Sequence, residues 1–189
     1  DDPDLGAFSM ATWAALSRQV DNPRYLSAAQ ALWSVYAEAI RKGHNPRHVF
    51  AAIELYKATG KRSYLFAADR LVERLLQLQN EAGWYARGPG GEKVLQILDE
   101  GMVPATLAFY LLERTEPIRS DHVRHSLRRY FTWSMQAADN PFGIIRNEVG
   151  GQSFFFMGPG GMVFGNNSQY LSTAWAALLA AQVFEAEPE

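Results

Sequence analysis

Three acidic residues fall on glycine-rich stretches of this chain: Asp99, Glu100 and Glu148. Carboxyls on loops can serve as general acids and bases, or can hold a polar ligand. Each also has a plainer explanation. Asp99 and Glu100 open the helix-like run "GMVPATLAF", where negative charge suits the helix dipole. Glu148, in "RNEVGG", has Arg146 close by as a surface partner. A second group combines rings with hydrogen-bonding side chains. "GWYARG" sets Trp84, Tyr85 and Arg87 side by side in a glycine loop, and Asn166, Asn167 and Tyr170 open the last apolar run. A ring that stacks on C–H faces, beside groups that bond hydroxyls, suits a sugar. The plainer readings are a core plug for Trp84 and helix capping for the asparagines.

Other chemistries find little support. His44 and His48 have the i, i+4 spacing of a metal pair, but Pro46 lies between them and no third ligand is evident. They read as exposed turn histidines, with exposure to a cleft as the alternative, and His122 and His125 as surface residues of a charged helix. There is no cysteine, no phosphate-loop or dinucleotide fingerprint and no nucleophile elbow, so neither metal nor cofactor is expected. "GPGG", at 88–91 and 158–161, is too generic to cradle a phosphate.

The elements that must position these residues are helical. Apolar residues recur at helical spacing in seven runs. They begin "FSMATWAALSRQV", "RYLSAAQALWSVYAEAI", "HVFAAIELYKATG" and "YLFAADRLVERLLQLQN". "GMVPATLAFYLLERT", "DHVRHSLRRYFTWSMQAAD" and "NNSQYLSTAWAALLAAQVF" complete the set. Gly60 is the C-terminal stop of the third, Ser120 or Asp121 the N-cap of the sixth, and Asn167 or Ser168 that of the seventh. "SFFFM" is the one candidate strand. The stretch "NPFGIIRNEVGGQSFFFMGPGGMVFGNN" lacks a helical period, and connections of that length are usually functional.

An internal repeat organises the first four helices. Tyr25, Leu26, Ala28, Ala29 and Leu32 recur as Tyr64, Leu65, Ala67, Ala68 and Leu71, a constant shift of 39, and Leu16 recurs as Leu55. The unit is a helical hairpin that cannot bury its apolar face alone, so hairpins must stack into a solenoid or a toroid. The seventh run resembles a first helix of such a hairpin, with Pro188 standing where Pro23 precedes Tyr25. The expectation is a single helical domain over 1–189, a piece of a larger one, with hairpin faces left open to self-association.

Composition agrees with a packed globular chain: 189 residues, 48% hydrophobic and 13% aromatic. With 18 basic against 20 acidic residues and no basic stripe, nucleic acid is not an expected partner. "RHSLRRY" reads as a solvated helix face. No apolar run reaches the length of a membrane span, so no membrane association is expected.

"NPFGIIRNEVGG" followed by "FGNNSQYLSTAWAALLAAQVF" resembles the Asn-Pro-aromatic-Gly loop and the aromatic-Gly-x-Asn-Ser helix start of glycoside hydrolase family 9. "AAIELYKATGKRSYLFAA" is similar to that family's helical hairpins. The resemblance spans roughly Leu5 to Phe184. It implies an (α/α)6 toroid from a secreted or periplasmic enzyme, hydrolysing a β-linked glucan with inversion. It also implies a sugar cleft to which Trp84, Tyr85, Arg87, Phe164, Asn166, Asn167 and Tyr170 belong. Phe164 stands where the family often has tryptophan, which implies a weaker stacking subsite. Inversion needs two carboxyls about 6.5–9.5 Å apart. The family's Asp-Ala-Gly-Asp motif and late acid helix are not in this sequence, so the implied fragment is inactive alone, with an oligo- or polysaccharide as its partner. Two alternatives stand: another toroid sugar enzyme (an epimerase or a uronate-processing enzyme), and a non-enzymatic helical-repeat binding module.

Overall fold

The computed structural model describes residues 3–86, 88, 101–114, 120–141, 143–145, 147–149, 152–154 and 166–185. It is an all-α helical-hairpin array. Its helices are α1 (Pro3–Ser17), α2 (Pro23–Lys42), α3 (Arg47–Thr59), α4 (Arg62–Leu76), α5 (Met102–Glu113), α6 (Ser120–Ala137) and α7 (Asn166–Glu185). The strands β1 (Asn147–Val149) and β2 (Gln152–Phe154) pair antiparallel, with Glu148 opposite Ser153. The strand expected in "SFFFM" is thus present over its first two residues and has its partner just upstream. Contacts divide the chain into two units, residues 1–75 with 109–118, and residues 76–108 with 119–189.

The first unit carries the repeat. α2 opens at Pro23 and α4 at Arg62, the 39-residue shift read from the sequence. Asn22 caps α2 through its Oδ1, which accepts from the Arg24 N–H at 3.1 Å, and Pro23 supplies the fixed φ of a first helical residue. α3 stops at Gly60, whose φ of 68° is left-handed and whose N–H reaches the Tyr56 carbonyl at 2.7 Å. Ala29 and Ala68, equivalent by the repeat, are both fully buried. Ala14, Ala29, Leu55 and Tyr64 form one core cluster, with Trp13, Leu26 and Trp33 packed on it.

α3 is buried on every side from His48 to Leu55, as a helix enclosed by neighbours must be. Its Phe50 stacks between Phe8 and Phe109, at 6.4 and 4.7 Å. Its one acid in that run, Glu54, is neutralised by Arg18 and Lys57. His48 is only 2% exposed, and neither ring nitrogen has a hydrogen-bond partner. The expectation of an exposed turn histidine is corrected here: Pro46 starts α3 early enough to carry His48 into the core. Asp69, also buried, accepts from the Tyr110 hydroxyl at 2.8 Å and from Arg114 at 2.8 and 3.2 Å.

In the second unit α6 buries Val123, Ser126, Leu127, Tyr130 and Ser134 along one face. His122, His125 and Arg128 lie on its exposed side, as a solvated basic face requires. α7 turns Ser172, Ala176, Ala180 and Val183 inward. The Ser172 hydroxyl accepts from the Gly101 N–H at 3.1 Å, and a Cβ on Gly101 would collide with the Ser172 backbone. Asn167 and Ser168 lie inside the first turn of α7, which opens at Asn166, so neither is the residue before the helix.

Candidate functional site

The glycine stretch around Trp84 is a closed turn. Asn80 N–H donates to the Trp84 carbonyl at 2.9 Å, and Ala86 N–H to that of Leu78 at 2.8 Å. Gln79 donates from Nε2 to the carbonyls of Gly83 and Ser126, each at 2.8 Å. Arg129 clamps the carbonyls of Asn80 and Glu81. Ser126 donates its one hydroxyl proton to Gln79 Oε1, so Tyr85 donates to Ser126 Oγ, at 2.7 Å. Tyr85 is 4% exposed, and burial pushes its phenol well above the usual tyrosine range. That corrects the expectation for Tyr85. Its ring packs on Tyr130 at 5.6 Å and its hydroxyl is spent inside the unit, so it offers nothing to a ligand. Trp84 is half-buried in the same turn.

A different cavity lies between α6, the segment 143–145 and α7. Its volume is about 400 Å³. Ser134, Met135 and Ala138 of α6 form one wall, Gly143, Ile144 and Ile145 a second, and Tyr170, Thr173, Ala174 and Ala177 of α7 the third. Local chemistry explains the second wall. Asn140 Nδ2 donates to the Ile144 carbonyl at 2.7 Å, Gly143 N–H returns to the Asn140 carbonyl at 2.9 Å, and Gly143 takes a left-handed φ of 64°. Ile145 is buried beneath.

Two hydroxyls at this cavity are enclosed without a partner, Tyr170 Oη and Thr173 Oγ1. Burial raises the Tyr170 phenol above its ordinary range, so at neutral pH it is a neutral donor and acceptor. Both residues lie on one face of α7, three positions apart. An enclosed hydroxyl left unpaired costs about 1–3 kcal/mol, which a ligand oxygen or a water that reached it would recover. Ser134 adds a third hydroxyl, which donates to the Phe131 carbonyl at 3.0 Å, and the other described lining residues are apolar and uncharged. The arrangement can bind a neutral molecule with apolar faces and oxygens at its edge; it offers no acid or base.

Of the residues read from the sequence, Tyr170 reaches this cavity. Arg87, Asp99, Glu100 and Phe164 lie outside the described residues, as do the side chains of Glu148, Asn166 and Asn167. Met135, Ile144 and Thr173 were missed. Following the helix face from Tyr170 would have found Thr173, whereas nothing local links Met135 to α7. Among the described residues no three metal-ligating side chains cluster, and no helix is long and apolar enough to cross a membrane. No protein-family model and no curated protein matches the chain.

Proposed function

We propose that this chain is the sugar-contacting part of a glycoside hydrolase that cleaves β-linked glucan-type polysaccharide with inversion. Its acid and base would come from motifs that this sequence does not contain, and ring closure and export are part of the same proposal. One observation carries the reading. Two stretches that bear the family resemblance supply one cavity: "NPFGIIRNEVGG" contributes Gly143, Ile144 and Ile145, and the helix that starts at Asn-Asn-Ser contributes Tyr170 and Thr173. The half-buried Tyr170 ring and two unpaired hydroxyls suit a sugar edge. Among the described residues, the buried carboxylates Glu54 and Asp69 are both committed to cations.

Calorimetric titration with cellohexaose tests this. Binding is expected near millimolar, about 4 kcal/mol on the affinity scale, with at least a five-fold loss in Tyr170→Ala and no hydrolysis of soluble β-glucan. Absence of binding contradicts the sugar reading. Turnover abolished by Asp99→Asn or Glu100→Gln contradicts the assignment of the chemistry elsewhere.

A second reading, a partner-binding or self-associating module, is favoured by α7 itself. Leu171, Trp175 and Leu178, at i, i+4 and i+7, are 69%, 37% and 67% exposed, an apolar stripe that soluble chains usually cover. Concentration-dependent light scattering, abolished in Leu171→Glu/Leu178→Glu while cellohexaose binding fails, would favour it.

A further inference from the structure

Within the first unit, α2 and α4 enclose a smaller cavity of about 150 Å³. Three arginines line it, Arg41, Arg70 and Arg74, together with Ser63, Trp33 and Tyr64. Their surroundings differ. Arg41 is held by Glu38 through two bonds, at 2.9 and 2.8 Å, and is committed to that pair. Arg74 is fixed from behind: its Nε and Nη2 donate to the carbonyls of Gly43 and Ile40, at 2.8 and 2.9 Å. Those bonds satisfy the C-terminal carbonyls of α2. They use two of the five guanidinium protons and leave three. Arg70 stands one helical turn before Arg74 and is exposed.

Two positive groups at i, i+4 repel. Arg74 registers this: burial first, and then the charge of Arg70, lower its affinity for its proton, and Glu73 offsets only part. A preset guanidinium with spare donors, a second guanidinium beside it, a hydroxyl at Ser63 and a confined volume together make an oxyanion receptor. We propose that this cavity binds a small oxyanion, with Arg74 as the fixed donor and Arg70 as the closing one. The shared chemistry is a compact group of two to four oxygens bearing one or two negative charges, as in phosphate, sulfate or the carboxylate of a sugar acid. The proposal is independent of the sugar reading of the second unit.

Amide chemical-shift titrations at constant ionic strength test it, with inorganic phosphate, sulfate, glucuronate and glucose as separate probes. At least one anion is expected to give saturable shifts at Ser63, Tyr64, Arg70 and Arg74, and glucose none there. Phosphate or sulfate acting alone identifies a free or ester-linked tetrahedral anion as the source; glucuronate acting alone identifies a sugar acid. Arg70→Gln, on an exposed face and therefore safe for folding, should weaken binding at least five-fold, and Arg41→Gln by less than two-fold. Equal shifts with glucose, no saturation with any anion, or unchanged affinity in Arg70→Gln would overturn the proposal. Arg74→Lys keeps the charge but loses the fork. It should weaken binding while circular dichroism stays that of the parent, and a full-affinity Arg74→Lys would also overturn the proposed geometry.

Discussion

Tyr85 and Gly83 show what a single residue does in this turn. The sequence offers "GWYARG" as a display of rings, yet the Tyr85 hydroxyl closes a network with Ser126 and Gln79. That outcome was not legible, because Gln79 and Ser126 stand 47 residues apart and no local pattern pairs them. Gly83 was legible as a turn residue but not as a packing one. Its φ is 114°, where side chains are rarely tolerated, and a Cβ would stand 2.6 Å from the Arg129 carbonyl. Gly83→Ala should therefore destabilise by about 2–3 kcal/mol, measured as a loss of urea midpoint at unchanged slope. A change below 0.5 kcal/mol would mean that the turn relaxes freely and does not anchor Tyr85.

At the scale of elements, most of the fold was readable. The apolar periods gave seven helices, Gly60 ended α3, and the 39-residue repeat set the openings of α2 and α4. What could not be read was which helix is enclosed. α1 and α3 are equivalent in the repeat, but only α3 is buried all round, because burial depends on neighbours that periodicity does not name. His48 is the consequence. Enclosure, and secondarily Arg47, lowers its imidazole to about 4. An unfolded histidine takes its proton near pH 6.5. Between those values the unfolded chain binds more protons, so stability rises with pH; the contribution is complete above pH 6.5 and is lost as pH falls toward 4. The loss should reach up to about 3 kcal/mol by pH 4. His48→Leu should flatten the difference between unfolding free energies at pH 7 and pH 4.5 relative to the parent chain. Parallel profiles for the two proteins would show that His48 finds a partner or stays solvated.

For the whole molecule, composition and repeat established a helical-hairpin array, and the structure bears that out. The functional part was legible through two motifs, and of its contact residues Tyr170 has its described side chain at the cavity beside α6 and α7. Thr173 and Met135 join it through the packing of α6 near α7, which a linear reading does not reach. In the proposed function, the two motif stretches form one sugar-contacting cavity. Amide shift mapping of the isotope-labelled chain with cellotetraose tests it most directly. Saturable shifts are expected at residues 134–138, 143–145 and 170–177, with Tyr170→Phe/Thr173→Val weakening them at least five-fold. Shifts confined to the first unit, or none at all up to ten millimolar sugar, would contradict it.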